Sequence, residues 1–355
     1  MKGFNFPIFK TKLEGINQKF QLEDPVNRRK YFELKAGPEI EKLRDWLRDH
    51  TFICFLLGKK NSGKGTYSKL FMEAVGSEHV AHISVGDIVR EAHKEAENKA
   101  KKAELLEFLK KRYRGFISID QAMDALMGRD TKTLLPTEFI LALVERKINQ
   151  IGRRAIFIDG FPRDLDQISY SLYFRALAGY RDDPDFMVFI DLPESVIDER
   201  MRYRVVCPKC QTPRNLKLLR TKEVGYDSAK KEFYLICDNP GCSPERMTLK
   251  EGDELGIEAI RDRIEIDDKI AASLLDLKGI PQIFLRNSIP VEKAKEFVDD
   301  YEITPAYLYE LDGSKVKVIE EPWVINDDQG VPSYSLLPQP VAVSLIRQVA
   351  QVLGL

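Results

Sequence analysis

The residues best equipped for chemistry lie in one short run, Gly58-Lys59-Lys60-Asn61-Ser62-Gly63-Lys64-Gly65-Thr66. An apolar stretch, 52–57, leads into it and an amphipathic stretch follows. Glycines at Gly58, Gly63 and Gly65 let a backbone bend and approach a ligand closely, so that successive N–H groups point inward at the start of a helix. This is a cradle for phosphate. Lys64 would reach the phosphate being transferred, and Thr66 would face Mg²⁺. The threonine stands two places after the lysine rather than one. Asn61 also stands in the run, and asparagine tolerates left-handed backbone better than most residues. Taken alone the run could be a surface turn; between a strand and a helix it predicts nucleotide binding. Lys59 and Lys60 read equally well as solvated loop lysines or as extra phosphate contacts.

A second constellation is sulfur. Cys207 and Cys210 form one tight pair and Cys237 and Cys242 another, with 26 residues between them. Two such knuckles bring four thiolates together as a closed tetrahedral Zn²⁺ site with no open position for chemistry. Pro208, Pro240 and Gly241 favour the turns. Lys209, Arg214, Lys217, Arg220 and Lys222 surround the pairs. They permit a second reading, a zinc ribbon that contacts nucleic acid. Cys54, inside the apolar run, reads as core.

The elements that must position these groups follow from periodicity. Strands are predicted at 51–57, within 79–87, and in "AIFIDGFPRD" (155–164) and "FMVFIDLPES" (186–195). Short apolar runs without alternation fit a parallel sheet covered on both faces. Helices are predicted after the glycine loop (Tyr67, Leu70, Phe71, Ala74 and Val75 inward), over 90–114 and over 138–150. Alternation of strand and helix gives an α/β fold, a doubly wound parallel sheet with its ligands at the carboxyl ends of the strands. Residues 1–50 read as a packed extension broken into short pieces by Pro7, Pro25 and Pro38, with Ile40, Leu43, Trp46 and Leu47 on one helical face. Strands are also predicted at 306–311 and 316–325, and a final helix at 341–353.

Several motifs appear in a fixed order. They are Gly-x4-Gly-Lys-Gly-Thr at 58–66, His82-Ile-Ser-Val-Gly-Asp-Ile-Val-Arg90, Asp159-Gly160-Phe161-Pro162-Arg163 with Gln167 four places on, "FIDLPESVIDERMRYR" (189–204) and "IEAIRDRIE" (257–265). Together they resemble the nucleoside monophosphate kinases, adenylate kinase above all. The resemblance covers roughly 51–92, 134–206, 255–275 and the C-terminal helix. It implies a P-loop core (51–84, 136–206 and 256–355 with a C-terminal extension), an enlarged helical insert for the acceptor nucleotide (85–135) and a zinc-bearing lid (207–255).

By the same resemblance, Arg90 and Arg163 grip the acceptor phosphate, with Val85, Leu135, Gly160 and Gln167 on the acceptor side. Arg204 and Arg263 stabilise the transferring group. Arg200 lies on the ATP adenine, and the backbone around Gln339 meets that base. Asp87 and Asp159, each read as ending a strand, hold the Mg²⁺ shell through water. A further lid cation is expected from Arg246 or Lys250, while Arg261 reads as a surface charge. Val85 stands where the family often has a threonine, which leaves the acceptor base open; Gln167 favours adenine. The implied reaction is ATP + AMP ⇌ 2 ADP with Mg²⁺, and the alternative within enzymes is a UMP or CMP kinase. The insert between Arg90 and the helix entry at 135 exceeds forty residues, with nine basic residues against five glutamates over 90–114. It reads as a bulkier acceptor domain or as a contact surface.

Composition sets the bounds. The chain has 355 residues, 43 % hydrophobic and 31 % charged, with a net charge of −1. That balance gives no global pull toward nucleic acid or membrane. No apolar run approaches the roughly 18 residues of a membrane span, and the N-terminus lacks the pattern of a signal peptide. A cytoplasmic monomer is the expectation. The remaining alternative class is a nucleotide-sensing, nucleic-acid-binding protein that uses the zinc insert and the basic helix.

Overall fold

The computed structural model of the chain describes residues 4–128, 135–162, 184–313 and 315–355. At its centre are β1 (Ile53–Gly58), β2 (Val80–Ser84), β3 (Ala155–Asp159) and β4 (Asp185–Asp191). A strand at Gln282–Arg286 adds to the β4 edge, and every pairing among these five is parallel. The mixed α/β fold read from the sequence is therefore present.

Successive residues of β1 supply opposite faces, as the period of two requires. Cys54 and Leu56 pack with Tyr67 and Phe71 of α2 (Lys64–Val75), with Leu43 of α1 (Pro25–Trp46), and with Leu345 and Val349 near the C-terminus. Ile53 and Phe55 face the other way, onto Val85 and Ile88 of α3 (Val85–Glu97) and Phe139 and Leu143 beyond them. Leu57 joins Met187 and Phe189 against Ile270 and Leu274. Burial on both faces explains why the strands read as continuous apolar runs.

The extension before the sheet differs from the expected short pieces. α1 runs through Pro38 and bends at Ala36, whose φ of −146° and ψ of 25° leave the helical region. Proline has no N–H to donate and crowds the preceding turn, so the bend falls just before it. Ile40, Leu43 and Leu47 are buried as read. The charged helical stretch read over 90–114 divides at Asn98, whose side chain caps α4 (Lys99–Arg112) by accepting from the N–H groups of Ala100 and Lys101. α5 (Ile119–Leu126) follows with a full capping box at Ser118 and Gln121. β2 leads straight into α3, capped by Ser84, so Asp87 sits in the first turn of a helix and does not end a strand.

The chain then forms α6 (Thr137–Ile151) and α7 (Glu194–Arg202), and enters the cysteine-bearing region through β5 (Arg204–Val206). That region is built of short antiparallel pieces. α8 (Arg261–Leu275) leaves it. The strands predicted at 306–311 and 316–325 are present as a hairpin of Pro305–Asp312 with Lys315–Pro322, except that the second ends at Pro322 and Val324–Asn326 forms a separate strand. The hairpin packs on the cysteine region: Tyr309 Oη donates to the Leu216 carbonyl at 2.5 Å, and the Tyr307 N–H to the Lys217 carbonyl at 2.8 Å. After α9 (Val291–Phe297), the last helix is α10 (Pro338–Val352). Among the described residues, no helix is long and apolar enough to cross a membrane.

Candidate active site

The glycine loop joins the carboxyl end of β1 to α2. Asn61 takes φ 67° and Gly63 φ 94°, both in the left-handed region. A Cβ on Gly63 would stand 2.9 Å from the Tyr67 ring, so glycine is required on two counts. The side chain of Lys64 curls back over the loop, and its Nζ donates to the carbonyls of Gly58 (2.8 Å) and Lys59 (3.0 Å). It also lies 4.0 Å from Asp159 Oδ1. A phosphate above the loop would offer this ammonium a charged partner in place of neutral carbonyls.

Above the loop opens a cavity of about 890 Å³. Gly58, Asn61, Ser62, Gly63, Lys64, Gly65 and Thr66 form its floor. Arg90, Asp159, Gly160, Arg200, Arg204, Arg263 and Gln339 also line it. Residues spread over nearly 300 positions of sequence thus converge on one crevice at the carboxyl edge of the sheet. Each cation has a tether. Arg204 grips Asp253 through Nε (2.5 Å) and Nη2 (2.8 Å). Arg263 pairs with Asp267 at 2.7 Å. Arg200 lies beside the Tyr67 hydroxyl, which accepts from Asn287 Nδ2 at 3.0 Å. Burial lowers the pKa of Arg200, and Tyr67 offsets part of that.

Three sequence-predicted residues stand back from this wall. Val85 is fully buried in the core beneath it. Leu135 packs against the same core. Asp87 is turned to Arg90 and largely exposed. Asp159 and Thr66 line the cavity and remain the groups that fit a hydrated divalent cation. Arg163 and Gln167 lie outside the described residues.

Neither Arg246 nor Lys250 lines the cavity. Arg246 pairs with Asp227 and Glu232, each at 2.7 Å. The cation of the cysteine region on the cavity wall is Arg214. Arg261, read as a surface charge, does not line the cavity and pairs with Glu194 at 2.6 Å and with Glu258.

Lys59 answers to neither reading offered for it. It is 2 % exposed, with Nζ 2.6 Å from Asp328 and 3.4 Å from Glu194. Burial alone would lower its pKa; Asp328, Asp268 and Glu194 outweigh that and raise it. Its ammonium thus pins the back of the loop to the C-terminal insertion. Lys59→Met should destabilise the fold by about 3–5 kcal/mol, because it leaves carboxylates without their buried partner. Urea unfolding measures this; a phosphate-contact role would instead weaken ATP binding at unchanged stability.

The four paired cysteines form a compact group, with every Sγ within 4.8 Å of the others. Cys207 and Cys242 are 3.8 Å apart and Cys210 and Cys237 3.6 Å. A tetrahedral Zn²⁺ with bonds near 2.3 Å has sulfur–sulfur edges of about 3.8 Å, whereas a disulfide needs about 2.05 Å. The donor set and spacing fit a structural metal ion. Thr212, 3.1 Å from Cys210, favours its thiolate and takes its pKa down to about 5.

Sequence reasoning missed Tyr67, Asp253 and the segment at Leu22–Glu23, which also lines the cavity. Tyr67 reads as one more apolar position of an amphipathic helix. Asp253 and Leu22 have no local signature, since their partners are remote in sequence.

No protein-family model matches the chain. Individual relatives do. Over 222 residues the chain is 30 % identical to a protein named adenylate kinase from Clostridium novyi (strain NT), a match covering 62 % of this chain and 83 % of that one. With the adenylate kinase of Clostridium tetani (strain Massachusetts / E88) the identity is 27 % over 243 residues, or 68 % and 93 % of the two chains. The adenylate kinase of Thermotoga maritima (strain ATCC 43589) is 30 % identical over 168 residues, 47 % of this chain and 64 % of its own length.

Proposed function

The chain belongs to the adenylate kinase family, and from that premise we propose that it catalyses ATP + AMP ⇌ 2 ADP with Mg²⁺. The observation that carries this reading is the convergence of Lys64, Arg90, Arg200, Arg204 and Arg263 on one cavity above the glycine loop. Phosphoryl transfer asks little covalent chemistry of a protein. It asks that two polyanions be held in line, their charge matched and water kept out. In this reading the loop N–H groups and Lys64 hold the donor phosphates. Arg204 and Arg263 exchange their carboxylate partners for the transferring group, and Arg200 covers the donor base. Arg90, with Arg163 from the sequence, holds the acceptor phosphate. Mg²⁺ supplies charge neutralisation between the phosphates, and Thr66 and Asp159 would hold its water shell. Asp87 joins them only by releasing Arg90.

We assign residues 85–135 to the acceptor insert and 207–255 to a lid, with Zn²⁺ on Cys207, Cys210, Cys237 and Cys242 as its structural ion. Four of the five basic residues around the cysteine pairs are already engaged, and Lys222 is exposed. Lys209 pairs with Glu245, Arg214 with Asp238 and Lys217 with Glu199, while Arg220 lies over the Tyr307 ring. This favours an internal role over a nucleic-acid contact. A coupled assay of ADP formation with ATP and each of AMP, UMP, CMP and GMP tests the assignment. AMP should be the preferred acceptor, and preference for a pyrimidine would overturn it.

A further inference from the structure

Arg204 and Arg263 each rest on a carboxylate, but the two carboxylates are held differently. Asp253, the partner of Arg204, belongs to the segment assigned to the lid, where its own N–H donates to the Lys250 carbonyl at 3.2 Å. Asp267, the partner of Arg263, belongs to the core. It lies one turn along α8 from Arg263 and lines the cavity with it. Its Oδ1 is 2.7 Å from Arg263 Nη2, and its side chain is 9 % exposed. Its Oδ2 accepts from the backbone N–H of Lys60, within the phosphate loop itself, at 2.9 Å.

Two holds therefore fix this carboxylate. One is the helix that bears it, which packs on the sheet through Ile270 and Leu274. The other is a loop amide 207 positions away in sequence. An anion that accepts at once from a loop N–H and from a guanidinium stands as a phosphate group would in this cavity. When Arg263 turns to a phosphoryl group it exchanges one anionic partner for another, so the net gain is only the difference between them. The Lys60 N–H still holds Oδ2, and the carboxylate stays within reach. Having lost a charge-assisted hydrogen bond in a place mostly withdrawn from water, it draws the guanidinium back.

We propose that Asp267 is a built-in competitor for the transferring phosphoryl group: pinned by the phosphate loop, it parks Arg263 while the site is empty and takes it back as product leaves. This rests on the reading of the cavity as a phosphoryl-transfer site. Asp267 is a positioning residue, acting through Arg263 and not on the nucleotide. Its presence weakens nucleotide binding, which limits how tightly substrate and product are held in the ground state. A carboxylate that only braced the helix would do the opposite, since its loss would loosen the site.

Asp267→Asn removes the charge and keeps both the shape and an oxygen for the Lys60 N–H. In equilibrium titration with a non-hydrolysable ATP analogue and Mg²⁺, this variant should bind about fivefold to tenfold more tightly than the wild type. The KM for ATP should fall by a similar factor with no rise in kcat. In an Arg263→Ala background the same substitution should change affinity by less than about twofold, because the coupling runs through that guanidinium. In the wild-type protein the Lys60 amide should stay protected from hydrogen exchange when the analogue is added. Unchanged or weaker binding by folded Asp267→Asn overturns the inference, as does equal tightening with and without Arg263. So does a Lys60 amide that loses protection as the analogue binds, a result that needs no variant. A wild-type protein that transfers phosphate to no monophosphate overturns instead the functional reading on which the inference rests.

Discussion

Replacing Lys64 with alanine is expected to lower kcat by about 10²- to 10³-fold, the usual cost of removing one oriented group that faces charge developing in a transition state. The loop itself should survive the change. Its shape is set by backbone at Asn61 and Gly63 and by the Ser62-to-Lys59 and Thr66-to-Gly63 hydrogen bonds, at 3.1 and 2.8 Å. Lys64 contributes hydrogen bonds to two loop carbonyls and proximity to Asp159. Thermal stability should therefore change little while turnover collapses, and that split separates a catalytic lysine from a structural one. A coupled assay alongside a thermal melt measures both. Near-normal turnover in a folded Lys64→Ala protein would remove the lysine from the role given it.

Loss of zinc should have the second large effect. The hydrophobic cluster around the cysteines holds Val205, Cys207, Leu235, Cys237 and Met247, too little apolar surface to order such a segment alone. Structural zinc contributes folding free energy on the order of 10 kcal/mol in small domains. Cys237→Ser, or prolonged chelation, should therefore melt the segment between Cys207 and Lys250 and expose it to protease. The central sheet should keep its own melting transition. Metal analysis of protein purified without chelator should give one zinc per chain in the wild type and little in the variant. A wild-type protein with no bound zinc and a protease-resistant lid would contradict the assignment. Turnover should fall with the lid, since Arg204 is held by Asp253 and Arg214 lines the cavity from within that segment.

The parts of the fold that were legible share a cause. β1, β3 and β4 are buried on both faces, which writes a continuous apolar run into the sequence, and the glycine loop between β1 and α2 has a local composition. The inward residues of α2 were read correctly because their partners lie across one amphipathic stripe: Tyr67, Leu70, Phe71, Ala74 and Val75 are all buried. The cysteine group was legible because two short-range pairs imply one site.

What stayed hidden depends on contacts between distant segments. Lys59 looks like a loop lysine until Asp328, 269 positions later, is placed against it. Arg204 looks like a free cation until Asp253 is found beside it. Nothing in the first 50 residues announces that Leu22 will meet Gln339, 317 positions away. Asp87 was misplaced for a local reason, since a serine cap turned the expected end of a strand into the first turn of a helix.

The central claim is that two nucleotides meet end to end in the crevice above the glycine loop. A crystal structure with a dinucleoside pentaphosphate, two adenosines joined through five phosphates, tests it most directly. The account predicts one such molecule per chain, with its phosphates running from the loop past Lys64 between Arg204 and Arg263, one adenine against Arg200 and Gln339 and the other near Gly160 and Arg90. A molecule bound elsewhere, or a phosphate chain that leaves those guanidinium groups on Asp253 and Asp267, would contradict it.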